Sequence, residues 1–396
     1  MSTKNKPRRV AFVATVFRHL EAFHIPYMKL LQEQGIEVHA YGHTDHGLEG
    51  IKKNGIKCFD IPFVRNPFHP KNIQAYRMIK KMLRQEDYGM IHVHTPVASI
   101  VTRLAALQAK VNPIIYTAHG FHFHKGASLI NWLIYYPIER IMARFTDFLI
   151  TINKEDYNRA KFFAVRQKVL FIPGVGIDST EYNIENSLVV RRNKRKELSI
   201  MESDFVILCV AELNKNKNQI QLIRAVQLLH NKYPHLKCVM VGTGKMESEY
   251  EAVIQEKGLT NVIKIIGFRR DVPELLAAAD AVTLLSYREG LPKSLLEALS
   301  AGKPIVATNI RGNSDLVSDG INGFLVQIND DKGTAAAFEK LMSDEFLCRN
   351  MGVNGLNFSK EYDITNILPQ VNEIYRSLYK LNKHPQELAH TTREIN

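Results

Sequence analysis

Two successive series of short apolar runs, separated by stretches of helical spacing, constrain this chain more tightly than any other feature of it. In the first half the runs are residues 9–15, 36–41, 56–61, 90–94, 113–117, 147–152 and 168–172; in the second they are 205–211, 237–241, 262–266, 281–285, 304–308 and 324–328. Runs of this length read as strands, and strands alternating with helices imply parallel sheets. The expected class is α/β, with two Rossmann-like domains in tandem. A chain of 396 residues with 45% hydrophobic content exceeds what one core usually organises and suffices for two.

The boundary falls where the pattern breaks. Pro173-Gly-Val-Gly-Ile-Asp178 is rich in turn residues and is followed by a polar span and the charge run Arg191-Arg-Asn-Lys-Arg-Lys-Glu197. The reading is a first domain over 1–178, a linker over 179–203 and a second domain over 204–360. Ile367, Leu368, Val371, Ile374 and Tyr375 recur at helical spacing and predict a last helix over 361–382; residues 383–396 are expected to be a disordered tail.

Composition excludes several classes. The four cysteines (58, 209, 238, 348) are far apart and form no CxxC pair, which speaks against a disulfide framework or a zinc site and fits a reducing cytoplasm. The apolar segment 10–16 is short and runs into Arg18 and His19, so it reads as a strand and not a signal peptide. The longest apolar stretch, 129–150, is interrupted by Pro137, Glu139, Arg140, Arg144 and Asp147, so no spanning helix is expected. Within it, Trp132, Tyr135 and Tyr136 beside arginines suit either a membrane interface or a helix packed on its own sheet. The net charge of +12 lies wholly in the first half: residues 1–178 hold 25 Lys and Arg against 13 Asp and Glu, and the remainder balances at 27 against 27. That asymmetry points to an anionic partner, a membrane surface or nucleic acid, with a plainly solvated basic face as the alternative.

In open parallel sheets ligands gather where strand ends lead into helices. The most informative such loop is Ser286-Tyr-Arg-Glu-Gly-Leu-Pro-Lys-Ser-Leu-Leu-Glu-Ala-Leu-Ser-Ala-Gly302. Leucines 295, 296 and 299 follow helical spacing, Pro292 suits the helix start, and the free backbone donors of Lys293 and Ser294 open toward the loop, where an anion could sit. Residues 293, 294 and 297 share a face, so a polyhydroxyl ligand could touch both Glu289 and Glu297. Both could equally be solvated acids.

Glu-Gly-Leu-Pro (289–292), Leu-Glu-Ala-Leu (296–299) and Ala-Gly-Lys-Pro-Ile-Val-Ala (301–307) resemble the donor-site signature of the retaining glycosyltransferases of family 4, of the exopolysaccharide and capsule type. Gly242-Thr-Gly244, residues 267–271, Arg311-Gly312 and residues 319–326 follow the same pattern in order. The resemblance implies the GT-B fold, two Rossmann-like domains facing each other across a cleft. It implies that Glu289 lies by the donor sugar and Glu297 takes the ribose hydroxyls of a nucleotide sugar, with Gly290, Leu291, Pro292 and Lys293 between them on the donor. Lys217 matches the family lysine that binds the donor diphosphate; Glu212 stands where relatives carry Arg, and Lys215 is its candidate partner. Gly242 and Gly244 match a donor-site turn that could be structural only, and Phe268 lies where the family holds the base.

In the first domain the resemblance makes His119, in Ala118-His-Gly-Phe-His-Phe-His124, the histidine that reaches the donor sugar and phosphate, with Gly120 allowing close approach and His122 and His124 on the acceptor side. Three closely spaced histidines invite a metal, but no carboxylate or Cys accompanies them at ligand spacing, and none is assigned. His92 and His94 are expected to pack or hydrogen-bond at a strand end. The turn after 9–15 lacks the paired glycines of many relatives, leaving Arg18 or His19 as substitutes for the usual phosphate contact. The expected function is retaining transfer of a sugar, with no cofactor or metal required, from a nucleotide-sugar donor, UDP-linked and of N-acetylhexosamine type, to a lipid-linked sugar at the cytoplasmic, anionic face of a membrane. The rivals are a nucleotide-sugar 2-epimerase of the same architecture and a basic nucleic-acid-binding protein; no nucleic-acid motif or stacking series supports the latter.

Overall fold

The computed structural model describes residues 9–381. They form two compact units, one of residues 9–176 and 365–381, the other Ile177–Ile364. In the first, β1 (Arg9–Val16), β2 (Glu37–His43), β3 (Lys57–Asp60), β4 (Tyr88–His94), β5 (Ile114–Ala118), β6 (Phe148–Thr151) and β7 (Lys168–Phe171) make one sheet, ordered β3-β2-β1-β4-β5-β6-β7. In the second, β8 (Phe205–Val210), β9 (Leu236–Val241), β10 (Ile263–Ile265), β11 (Ala281–Leu284), β12 (Ile305–Thr308) and β13 (Gly323–Val326) make another, ordered β10-β9-β8-β11-β12-β13. Every paired neighbour is parallel.

The continuous apolar character of the strands follows from cover on both faces. Val10, Ala11, Phe12, Val13 and Ala14 are all fully buried, as are Val206, Ile207 and Leu208 in the second sheet, because helical crossovers leave neither face of a parallel sheet to water. Each buried Val or Leu is worth about 1.5–3 kcal/mol. Both sheets reverse their direction of winding beside the first strand, between β1 and β4 and between β8 and β11. Loops diverge at such a switch point and leave a crevice at the carboxyl ends of the strands.

The span expected as a linker is folded. Ser179–Tyr182 is a 3-10 turn and Ser187–Glu197 a helix of the second unit. Three of the five basic residues in its charge run, Arg191, Lys194 and Arg195, are paired within the second unit. Arg191 Nη1 donates to the carbonyls of Ala277, Ala278 and Ala279, and the fully buried Arg195 donates to Ala278, Met201, Glu202 and Asp204, while both arginines pair with Asp280 (2.6 and 2.8 Å). The two guanidiniums thus satisfy the open carbonyls at the end of helix Val272–Ala278, where the helix dipole also favours positive charge. A run of basic residues looks solvated in sequence when its acceptors lie about eighty residues away.

The last helix, Ile364–Leu381, belongs to the first unit from Thr365 onward. It buries Ile367, Val371, Ile374 and Tyr375 there; the Tyr375 hydroxyl meets His92 Nδ1 at 2.9 Å, and Gln34 Nε2 donates to Asn372 (3.0 Å). The tail 383–396 lies outside the described residues. Among the described residues no helix is long and apolar enough to cross a membrane.

Candidate active site

In the second unit the polar residues collect at the β8/β11 switch point. Pro292 ends the loop after β11 in an extended conformation, and helix Lys293–Ser300 starts at the next residue, with no side chain capping it. Glu297, on that helix, is buried; its Oε1 accepts from the Tyr182 hydroxyl (3.0 Å) and lies 3.6 Å from Lys293 Nζ. Burial and the adjacent carboxylate push the Tyr182 phenol well above its ordinary value, so Tyr182 remains a donor. Glu289 is held separately: its Oε1 takes Lys217 Nζ at 2.6 Å, and its carbonyl takes Arg311 Nε at 3.0 Å. Gly312, at φ +83°, packs so closely that a Cβ there would sit 2.4 Å from the Gly290 carbonyl. The loops 289–290 and 311–312 are therefore fixed against each other.

Gly242 and Gly244 serve the same kind of packing. A Cβ on either would lie 2.1 Å from the carbonyl of Ala211 or Leu213, so these glycines let the turn after β9 pass against the loop that carries Glu212. Glu212 is exposed, and among the described residues its carboxylate has no ion-pair partner; Lys215 does not pair with it. Phe268 stands 65% exposed after β10, its ring 5.9 Å from the Arg270 guanidinium.

In the first unit β1 runs straight into helix Phe17–Glu33 without a loop. The Asp45 carboxylate caps that helix: Oδ1 accepts from Arg18 N (2.9 Å) and Gly47 N (3.1 Å), and the Arg18 side chain lies 3.7 Å from Oδ2. A Cβ on Gly47 would meet Arg18 N at 2.4 Å, so glycine is what allows this approach. The position an anion would take at this helix end is filled by the protein's own carboxylate. Where the resemblance leads to an expected glycine pair, this chain closes the turn with Asp45.

His119, at the end of β5, does not gather with His122 and His124. His122 stacks on Tyr135 (ring centroids 4.4 Å) and His124 Nδ1 donates to the Lys125 carbonyl (2.9 Å). Instead His119 Nε2 meets His24 Nε2 at 3.2 Å and His94 Nδ1 at 3.5 Å, with His19 edge-on to its ring. One nitrogen from each of these four residues lies within 4.8 Å of the others, a spacing a metal ion could bridge. Burial, with the neighbouring imidazoles, holds His24, His94 and His119 well below the usual histidine range, and His19 falls to about 3 through burial and the nearby Arg65 and Arg18. All four are neutral near pH 7. His92 packs beside them and bonds Tyr375 and Thr117, whereas His94 belongs to the cluster. Gly120 follows His119 at φ +140°, a conformation only glycine adopts freely.

Sequence reasoning missed Tyr182, which lies in the supposed linker, and also His24, His94 and Asp45. His94 carried a signal only as part of an alternating pair; His24 and Asp45 carried none.

Two parallel Rossmann-like sheets, each with its polar residues at a switch point, are the architecture of the GT-B glycosyltransferases. Residues 9–153 match the model "Glycosyl transferase 4-like" and residues 190–358 the model "Glycosyl transferases group 1". Among relatives, EpsD of Bacillus subtilis (strain 168), named as a glycosyltransferase, is 38% identical over 93% of this chain and 96% of its own. An Escherichia coli protein named UDP-Gal:alpha-D-GlcNAc-diphosphoundecaprenol alpha-1,3-galactosyltransferase is 28% identical over 85% and 89%. Anabaena HepE, crystallised with UDP and glucose, superimposes with a TM-score of 0.78 at 21% identity, over 93% of this chain and all of that one, and shows the shared fold. The chain belongs to glycosyltransferase family 4, of the exopolysaccharide and capsule type.

Proposed function

We propose that this glycosyltransferase moves a sugar from a UDP-linked donor to a hydroxyl of a lipid-linked saccharide, with retention at the anomeric carbon, at the inner face of a membrane where surface polysaccharide is built. The observation that carries this reading is the separate fixing of two carboxylates at the β8/β11 switch point, Glu297 by Tyr182 and Glu289 by Lys217. A buried carboxylate that already accepts one hydrogen bond keeps acceptor capacity for ribose hydroxyls. Glu289, His119 and the amide-rich start of helix Lys293–Ser300 are assigned to the sugar and diphosphate, with Gly242, Gly244 and Phe268 around the rest of the donor; Arg18, His19, Gly120, His122 and His124 are assigned to the acceptor side. UDP in the HepE crystal and the diphosphoundecaprenol acceptor in the Escherichia coli relative's name support the two substrate classes.

In the step itself the acceptor oxygen bonds to the anomeric carbon on the face from which UDP leaves, the bond from that carbon to the β-phosphate oxygen breaks, and the acceptor proton passes to that oxygen. Negative charge grows on the diphosphate, and Lys217 with the free amides near Lys293 is aimed at it; no metal is called on. The neutral cluster of His19, His24 and His94 holds the His119 ring in place.

The test is a panel of nucleotide sugars, N-acetylhexosamines first, screened for thermal stabilisation; a ligand at a hundred times its Kd adds about 2.7 kcal/mol. Hits are then supplied with a polyprenyl-diphosphate-linked sugar, and UDP release and product stereochemistry are read. Release of UDP without a glycosylated lipid would remove the acceptor assignment, and an inverted product would remove retention.

A further inference from the structure

The four histidines of the first unit hold more converging nitrogens than their own hydrogen bonds can use. His94 ends β4, His119 follows the neighbouring β5 by one residue, and His19 and His24 lie on the helix that leaves β1. His119 Nε2 stands between His24 Nε2 (3.2 Å) and His94 Nδ1 (3.5 Å). An imidazole nitrogen offers one in-plane site, either a proton or a lone pair, so His119 Nε2 makes one good hydrogen bond and leaves the other contact unmet. On the far sides of the rings, His24 Nδ1 and His94 Nε2 are buried without a hydrogen-bond partner among the described residues, as is His19 Nε2.

A cation at the centre would take a lone pair from every ring at once. Zinc–imidazole bonds of about 2.0–2.1 Å in a tetrahedron put the ligand nitrogens about 3.3–3.4 Å apart, which brackets the spacing of His119 to its two neighbours. One nitrogen from each of the four lies within 4.8 Å of the others, so the widest gap closes by about 1.4 Å as the ligands draw in. His24 and His94 form a buried floor, stacked at 3.7 Å between centroids, while His19 and His119 are only half-buried and leave a way in. An all-imidazole set suits zinc, copper or nickel and not magnesium or calcium. No carboxylate or thiolate completes it, Arg18 and Arg65 lie near His19, and the outer nitrogens of His24 and His94 lack the acceptors that ordinarily orient ligating histidines. These features make binding reversible and distinguish the site from a resident structural zinc.

We propose that His24, His94 and His119, with His19 as the fourth ligand, form a reversible binding site for Zn2+ or a related late first-row dication, and that filling it silences sugar transfer by engaging His119. The ion acts as a regulator and takes no part in the transfer step. The silencing rests on the assignment of His119 to the donor sugar and diphosphate made above; the binding rests on the geometry of the four rings alone.

The experiment uses the full chain, stripped with EDTA, dialysed and titrated with Zn2+ against a chromogenic chelator. One tightly held equivalent should bind and raise Tm, and Co2+ in its place should show the intense visible bands of a four-coordinate ion. His24→Phe and His94→Phe keep a ring in each position and should each weaken Zn2+ binding by more than about a hundredfold, beyond the loss of a merely orienting partner; His19→Phe, at the rim, should weaken it about tenfold. Should the buried variants fail to fold, X-ray absorption of the zinc-loaded wild-type chain decides the site, with a first shell of nitrogens at about 2.0–2.1 Å and imidazole scattering beyond it. No binding, a shell of oxygens, or equal affinity in wild type, His24→Phe and His94→Phe would each overturn the site. UDP release with donor and acceptor present should fall at least tenfold at one equivalent of Zn2+ and return with EDTA. Zinc held by the cluster while transfer continues unimpaired would overturn the silencing and take His119 off the donor. Zinc held there by a chain that no nucleotide sugar stabilises and that releases no UDP would sink the function proposed above and leave the metal site standing.

Discussion

Lys217 Nζ lies 2.6 Å from Glu289 Oε1, which joins the loop after β8 to the loop after β11 across the switch point of the second sheet. Their side chains are 21% and 12% exposed, so the pair is shielded from solvent. Under the donor assignment proposed above, an incoming diphosphate would compete with Glu289 for the same ammonium group, and the lysine's charge would be shared between a positioned carboxylate and the leaving group.

Lys217→Ala should therefore lower kcat by about a hundred- to a thousandfold, the usual cost of removing a preorganised donor from a developing negative charge. Steady-state kinetics with a Tm comparison checks it. Turnover within threefold of wild type would remove Lys217 from the chemistry.

Glu297→Gln keeps the shape and the contact with Tyr182 but gives up a charge-assisted acceptor, a bond worth about 1.5–3 kcal/mol. kcat/KM should fall about ten- to a hundredfold, mostly through donor affinity. Tyr182→Phe is the control, with a smaller loss if the hydroxyl only orients the carboxylate. Calorimetric donor titrations that leave Kd unchanged in Glu297→Gln would overturn the ribose assignment.

Glu212→Arg should be tolerated and should tighten donor binding, because Glu212 is exposed and its side chain holds no ion pair that the change would break. Donor Kd is again the measurement. A folded but inactive variant would give Glu212 a role of its own.

Stability should depend on pH through the histidines of the first unit. Burial lowers His19 and His92 to about 3 and holds His24, His94 and His119 well below their ordinary value. The unfolded chain then protonates first, near pH 6.5, so their contribution is complete above about pH 6.5 and is lost as pH falls from there toward about 3. Each such histidine costs about 1.4 kcal/mol per pH unit in that window. Urea midpoints followed by the single tryptophan, Trp132, should be level from pH 7 to 8 and fall steeply from 6 to 5. A flat profile would mean that the cluster is open to protons in the native state.

Asp45→Ala should cost about 0.5–2 kcal/mol by uncapping helix Phe17–Glu33, and Asp45→Asn less, since the amide oxygen can still accept from Arg18 N and Gly47 N. Paired denaturation curves decide it. Equal losses for the two changes would mean that the charge, and not the hydrogen bonds, does the capping.

The histidines show how far local reading reaches. Their positions after strand-type runs were visible, and the close spacing of 119, 122 and 124 suggested a group. The chain instead sends His122 to Tyr135 and His124 back to Lys125, and assembles His119 with His94, since β4 and β5 are neighbours, and with His19 and His24 from the helix after β1. The partners of Glu297 and Arg195 were equally out of sight, being contacts across 115 and 85 residues.

What the amino-acid sequence alone determined was local in its physics: apolar runs of strand length, helical spacing between them, and a loop whose proline, glycines and glutamates meet the demands of a strand-to-helix turn. Those rules act over a few residues and made the two parallel sheets and the donor-site motif legible. Tertiary structure decided what depends on which strands become neighbours: that Asp45 closes the first helix, that a linker became a helix tied down by Arg191 and Arg195, and that Glu139 was spent on Arg103. The last choice turned one face of helix Leu129–Ala143 inward and left the other apolar and basic. Spacing alone could not make it, because a buried ion pair exists only once two distant segments have been brought within 3 Å of each other.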